Sequence, residues 1–133
     1  MHEYTVEFRI YGEDLNPSEV TNELGLEPTL IHLAGERRSQ TTVWQEGMWG
    51  YNGYSANHGC KEWQSLEDGL LFLIEKLNPV KPVIKKLKRK YRLVMWCGCF
   101  QEDVNSSLTL SPLILKMLGS LGVELTLDTY ISK

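Results

Sequence analysis

Nine side chains able to do chemistry crowd into one glycine-rich stretch: Glu36, Arg37, Arg38, Trp44, Trp49, Tyr51, Tyr54, His58 and Trp63. Three of the chain's four tryptophans are among them, spaced among Gly35, Gly47, Gly50, Gly53 and Gly59. Arginine and the large aromatics dominate binding hot spots, because each buries a wide area while keeping a polar handle. Long loops of this composition are where function tends to sit. The set Glu36, Arg37, Arg38, Trp44, Trp49, Tyr51, Tyr54 and Trp63 is therefore the candidate surface for a protein partner. The competing reading is structural: Trp44, Trp49 and Trp63 cover the sheet, and Arg37 pairs with Glu36 or another carboxylate.

A second cluster is purely cationic. Residues 81–92 hold Lys81, Lys85, Lys86, Lys88, Arg89, Lys90 and Arg92, seven cations in twelve positions without an acid. On a helix, Lys81, Lys85, Lys88 and Arg92 form one row opposite Ile84 and Leu87. Together with Arg89 they could grip a phosphate backbone, an anionic lipid or an acidic protein. Nucleic-acid binding is the alternative function these residues offer. The simpler reading is a solvated outer face of a packed helix.

No residue pattern spells out a reaction. His58-Gly59-Cys60 with His32 and Cys97 or Cys99 assembles a metal site or a Cys-His nucleophile only on paper, since no Cys-x-x-Cys or His-x-x-x-His spacing supports it. Cys97 and Cys99 share one side of an apolar strand, where thiols are usually inert filling. Glu13-Asp14 and Glu102-Asp103 fall in turns, and phosphate-binding, dinucleotide-binding and nucleophile-elbow motifs are missing. The expectation is a protein without catalytic residues, metal or cofactor.

The elements that must position these residues follow from pattern. With 133 residues and 42% apolar content the chain suits a single domain, 1–133, with one core. The N-terminus lacks a secretion signal and no apolar run spans a bilayer, so a cytoplasmic protein with three reduced thiols and no membrane partner is expected. Residues 4–11 alternate as a half-buried strand, with Tyr4, Val6, Phe8 and Ile10 on one side and Thr5, Glu7, Arg9 and Tyr11 on the other. Asn16-Pro17 starts a short helix that Gly25 ends. Asn52-Gly53 predicts a tight type I′ hairpin. Ser65 caps a helix bounded by Asn78-Pro79, residues 80–91 follow helical spacing, 91–100 read as a buried strand, Ser111-Pro112 starts a last helix, and 123–131 alternate as a terminal strand. The segments 15–27 and 110–124 share a cap-proline start and a Gly-apolar-Glu exit. Two strand-helix-strand units about one antiparallel sheet are expected, an α+β fold of ferredoxin-like kind with helices on one face.

The run Phe8-Arg-Ile-Tyr-Gly-Glu-Asp-Leu-Asn-Pro-Ser-Glu-Val-Thr-Asn-Glu-Leu-Gly-Leu-Glu-Pro-Thr29, then Gly35-Glu-Arg37, Trp49 and the ending 118–130 with Asp128-Thr-Tyr130, resembles the bacterial domain-of-unknown-function family 4279. That resemblance covers most of the chain and carries no catalytic residues with it. It implies a small stand-alone bacterial protein with a partner-binding or immunity role, capping a toxin domain through the Trp/Arg loop and the sheet edge. The charge fits such a role in one respect. The formal total of -3 conceals a segment of +7 on a remainder where seven cations face 17 acids. An acidic body of that kind suits a basic partner such as a nuclease, since complementary fields speed encounter.

Overall fold

A computed structural model describes residues 3–54, 61–103 and 106–131. Its elements are β1 (Glu3–Gly12), α1 (Pro17–Leu24), β2 (Leu30–His32), β3 (Gly47–Tyr51), α2 (Leu66–Leu77), a single 3-10 turn (Asn78–Val80), α3 (Lys81–Leu87), β4 (Arg92–Gln101), α4 (Pro112–Leu121) and β5 (Glu124–Ile131). The local signals act as their chemistry requires. Asn16, Ser65 and Ser111 each accept the amide of the residue three places on, which satisfies a free helix-end donor. Gly25 and Gly122 end α1 and α4 in the left-handed conformation, at φ 68° and 73°.

The strands lie in the order β2-β3-β1-β4-β5. The first four pair antiparallel and form a split β-α-β sheet, with β3 between β1 and β2. β5 extends it in parallel to β4, after the crossover through α4. The expected α+β fold is thus present, but its two units are β1-α1-β2 and β3-α2-α3-β4. The α4-β5 pair is an addition beyond them rather than the second half of a repeat.

Strand alternation sorts the sheet into two faces. Tyr4, Val6, Phe8 and Ile10 of β1 stand opposite Cys99, Cys97, Met95 and Leu93 of β4, and all eight are buried under the helices. α2 lies directly on β1, which Gly69 permits: a Cβ there would sit 2.9 Å from the Val6 side chain. Leu70, Leu73, Leu77, Ile84 and Leu121 close the core.

Two local expectations are corrected. A type I′ turn needs positive φ at both central residues, and only Gly53 has it, at 87°. Asn52 instead uses its carboxamide oxygen to accept from the Tyr54 amide at 2.9 Å and the Thr29 hydroxyl at 3.1 Å, which ties the end of β3 to the start of β2. The helix expected over 80–91 ends as α3 at Leu87, and Tyr91 is buried beside Gly12 at the entrance to β4.

Candidate functional site

The described helices all pack on one face, and among the described residues no helix lies on the opposite face of the sheet. β1 presents Thr5, Glu7, Arg9 and Tyr11 there, β4 presents Arg92, Val94, Trp96, Gly98 and Phe100, and β5 presents Glu124, Thr126, Asp128 and Tyr130. β2 and β3 add Leu30, His32, Met48 and Gly50. The 33–46 loop folds back as a small hairpin through an Arg37–Val43 bridge and raises one wall. Two adjoining depressions result, of ≈ 490 and ≈ 590 Å³, with Arg9, Leu30 and Trp96 common to both.

Arg9 is the centre of the floor. Its Nε donates to Glu7 Oε1 at 2.6 Å, its Nη1 donates to the Tyr11 hydroxyl at 3.2 Å, and its guanidinium lies 4.0 Å from the centroid of the Trp96 ring. Burial works against the Arg9 charge, but the Glu7 carboxylate and the Tyr11 oxygen outweigh it and hold the guanidinium protonated more firmly than usual. Trp96 is fixed from its other side by donating Nε1 to Asp128 Oδ2 at 2.6 Å. Tyr130 stacks on Phe100 at 5.1 Å, which extends the aromatic floor onto β5.

The wall is a three-part stack. His32 and Trp44 lie 3.6 Å apart and within 7° of parallel, and Arg38 covers the outer side of Trp44 at 4.5 Å. Burial lowers the His32 pKa from the ordinary 6.5, with the Arg9 and Arg38 charges adding to the effect and Glu36 and Glu46 opposing it. The imidazole is thereby pushed toward its neutral form, and among the described residues its buried Nδ1 has no hydrogen-bond partner. Among the described residues Arg38 has no carboxylate within ion-pair reach, so a cation stands unneutralised at the mouth of the groove.

The aromatic and arginine residues singled out from sequence are thus divided among four places. Arg38 and Trp44 reach the groove. Glu36 and Arg37 shape the loop itself: the Glu36 carboxylate accepts the Leu33 amide at 2.7 Å and Arg37 donates to the Gln40 carbonyl at 2.9 Å. Trp49 and Tyr51 point to the helix side, 0% and 8% exposed, and belong to the core rather than to a contact surface. Register decides this, because Trp49 stands opposite Ile10 and Tyr51 opposite Phe8. Tyr54 and Trp63 pack on Phe72 of α2 at 5.1 and 5.4 Å, away from the groove. His58 and Cys60 lie outside the described residues.

The basic segment is not one row. Lys81 donates to Ser120 of α4, Lys86 pairs with Glu23 at 3.3 Å, and Lys90 pairs with Glu19 at 3.5 Å. Arg92 leaves the helix altogether: it opens β4 on the open face, 3.6 Å from Glu124 and over the Tyr11 ring. Lys85, Lys88 and Arg89 remain exposed cations without ion pairs among the described residues. The acids of α1 and β5 therefore neutralise much of the charge that stands alone in the sequence. His32 and Cys97 lie on opposite faces of the sheet, so they cannot share a metal or act as a dyad. Burial pushes the Cys97 thiol up to about 12, which leaves it protonated and unreactive.

Sequence reasoning missed Glu7, Arg9, Tyr11, Trp96, Phe100, Asp128 and Tyr130. The polar side of the β1 alternation was the available signal, as was a tryptophan inside an otherwise small and apolar β4. What these parts define is an α+β sheet protein whose face opposite the described helices forms an aromatic and arginine-lined groove. The chain belongs to the family described as domain of unknown function DUF4279, whose model matches residues 2–132. Comparison with curated proteins and with solved structures returns no match.

Proposed function

We propose that the protein is a non-enzymatic protein-binding module and that its contact surface is the open sheet face with the 33–46 wall. The observation that carries this reading is the Arg38-Trp44-His32 stack facing Arg9 and Trp96 across the groove. These are hot-spot residue types already held in place, so little side-chain freedom is lost on binding. The carboxylates of the floor are engaged, Glu7 by Arg9 and Asp128 by Trp96, which suits a recognition surface better than acid-base work. Arg38 would meet a carboxylate of the partner. A toxin domain held by an immunity protein is a partner of this class. The alternative, nucleic-acid binding through residues 81–92, draws less support from a segment whose cations are divided between two faces and partly paired.

The experiment is a retrieval of partners from the native cell by wild-type protein, followed by measurement of the purified pair. Arg38→Glu with Trp44→Ala should weaken that complex by about 10- to 100-fold, while Lys85→Glu with Arg89→Glu on the helix side leaves it unchanged. The opposite pattern, or retention of nucleic acid that falls steeply with salt, would replace this proposal by the alternative.

A further inference from the structure

β5 ends the sheet as a long edge with little of the usual protection. It runs for eight residues, Glu124–Ile131, and among the described residues nothing pairs with its outer side. Natural edge strands are kept single by charged side chains, lysine above all, by proline, bulges, inward charges or brevity. β2, the opposite edge, has three residues. β5 contains no Lys, Arg or Pro, its two acids Glu124 and Asp128 both project to the open face, and it runs in continuous register with β4. Its first residues pack on the core through Leu125, but from Leu127 onward its helix side is exposed. Leu127 and Ile131 of its helix-side row are 39% and 53% exposed.

We infer that this edge pairs with the β5 of a second copy of the same chain, antiparallel about a two-fold axis at Leu127, to give one continuous ten-stranded sheet. Directly opposed residues of an antiparallel pair point to the same side of a sheet. A two-fold axis perpendicular to the sheet therefore sets open face beside open face and helices beside helices. With Leu127 on the axis, the helix-side row matches Leu127 with Leu127, Leu125 with Thr129 and Val123 with Ile131, apolar against apolar or threonine. The open-face row matches Glu124 with Tyr130 and Thr126 with Asp128, so no two acids stand opposite.

Neighbouring registers fail on charge. Moving the axis to Asp128 opposes two aspartates, and moving it to Thr126 opposes Glu124 with Asp128 on both sides of the axis. Like charges directly opposite are destabilising. An axis lying in the sheet plane would run the two strands parallel and bring Leu127 level with Leu127 on opposite faces, so the apolar rows would not meet. The Leu127 axis is thus the pairing that uses the whole strand, matches the apolar row and separates the acids. At about 3.4 Å per residue the paired edge is about 27 Å long, a small interface, so a weak and concentration-dependent dimer is expected.

Sedimentation equilibrium of the full chain across the micromolar range tests this. Wild type should shift from monomer to dimer with concentration. Leu127→Lys sets two cations together at the axis and should raise the dissociation constant at least about 10-fold, with an unchanged circular dichroism spectrum to confirm the fold. A geometric test does not depend on that variant. In a Cys60→Ser background, Leu127→Cys should form an intermolecular disulfide under mild oxidation. Thr129→Cys should not, because its own counterpart lies four residues away along the strand, well beyond the roughly 7 Å limit between bonded cysteine Cα atoms. A monomer at every concentration, a dimer indifferent to Leu127→Lys, or equal cross-linking at 127 and 129 would each overturn the inference.

Discussion

Replacing Thr21 with Val, alone and together with Trp49→Phe, tests which side of the sheet the tryptophans serve. Trp49 is fully buried on the helix side of β3, and its indole Nε1 donates to Thr21 Oγ1 of α1 at 2.9 Å. Valine keeps the shape of threonine and removes the acceptor, so the indole N–H loses its protein partner. An unsatisfied buried donor costs about 1–3 kcal/mol. Thr21 is half-buried and partly hydrated when unbound, which places the expected loss near the lower end, about 1–1.5 kcal/mol. Trp49→Phe removes both the donor and part of a close-packed ring, for about 1–3 kcal/mol. Once phenylalanine is present, Thr21→Val has no donor to strand and should cost less than about 0.5 kcal/mol. The coupling between the two sites is therefore about 1 kcal/mol, a few degrees of melting temperature for a chain of this size. Urea denaturation of the four proteins measures it. Additivity within about 0.3 kcal/mol would refute the β3–α1 hydrogen bond and with it the placement of Trp49 under the sheet.

Gly98→Ala puts a Cβ 2.7 Å from Thr5 Oγ1 and 2.9 Å from Trp96 Cη2, so it should displace the indole from Arg9 and Asp128 and cost about 1–3 kcal/mol. Trp96→Phe lacks that far ring atom and should recover part of the loss, as thermal melts of the single and double variants will show. His32 resists its charge when folded, so the unfolded chain binds more protons than the folded one between the lowered folded pKa and 6.5. Wild type should therefore lose stability as pH falls below about 6.5, and His32→Gln should lose less between pH 7.5 and 5 by urea midpoints. Equal pH dependence in both proteins would show that the imidazole is not desolvated against Trp44.

The strands and helices were readable where the signal is local. The alternation of β1, the caps Asn16, Ser65 and Ser111, and the stop at Gly25 all act within a few residues, so they needed no knowledge of the partner strand. Which face of a strand is covered is a different kind of fact. Trp44 and Trp49 sit five positions apart in the same glycine-rich stretch, yet one walls the groove and the other fills the core, because β3 registers Trp49 against Ile10. Trp96 was hidden by its neighbours: β4 reads as uniformly apolar since Leu93, Met95, Cys97 and Cys99 alternate with Val94, Trp96 and Gly98. The ion pairs of the basic segment join residues far apart in the chain, Lys86 to Glu23 and Lys90 to Glu19, and no helical spacing rule reports contacts of that range.

The addition of β5 links the two proposed surfaces. The split β-α-β core supplies Arg9, Tyr11 and Trp96, but the carboxylate that orients the Trp96 ring comes from Asp128, and Tyr130 completes the floor beside Phe100. A groove built without β5 would lose the hydrogen bond that fixes the Trp96 indole N–H. The same strand offers its outer edge to a second copy, and side-chain parity keeps the two uses separate: even-numbered residues face the groove, while the odd-numbered row, with Leu127 at its centre, faces the helix side. Leu127→Lys should therefore weaken pairing without touching a groove side chain. If pairing orders β5, it also orders Asp128 and Tyr130. Thermodynamic reciprocity then requires a groove partner to tighten the dimer by the factor by which dimerisation tightens the groove.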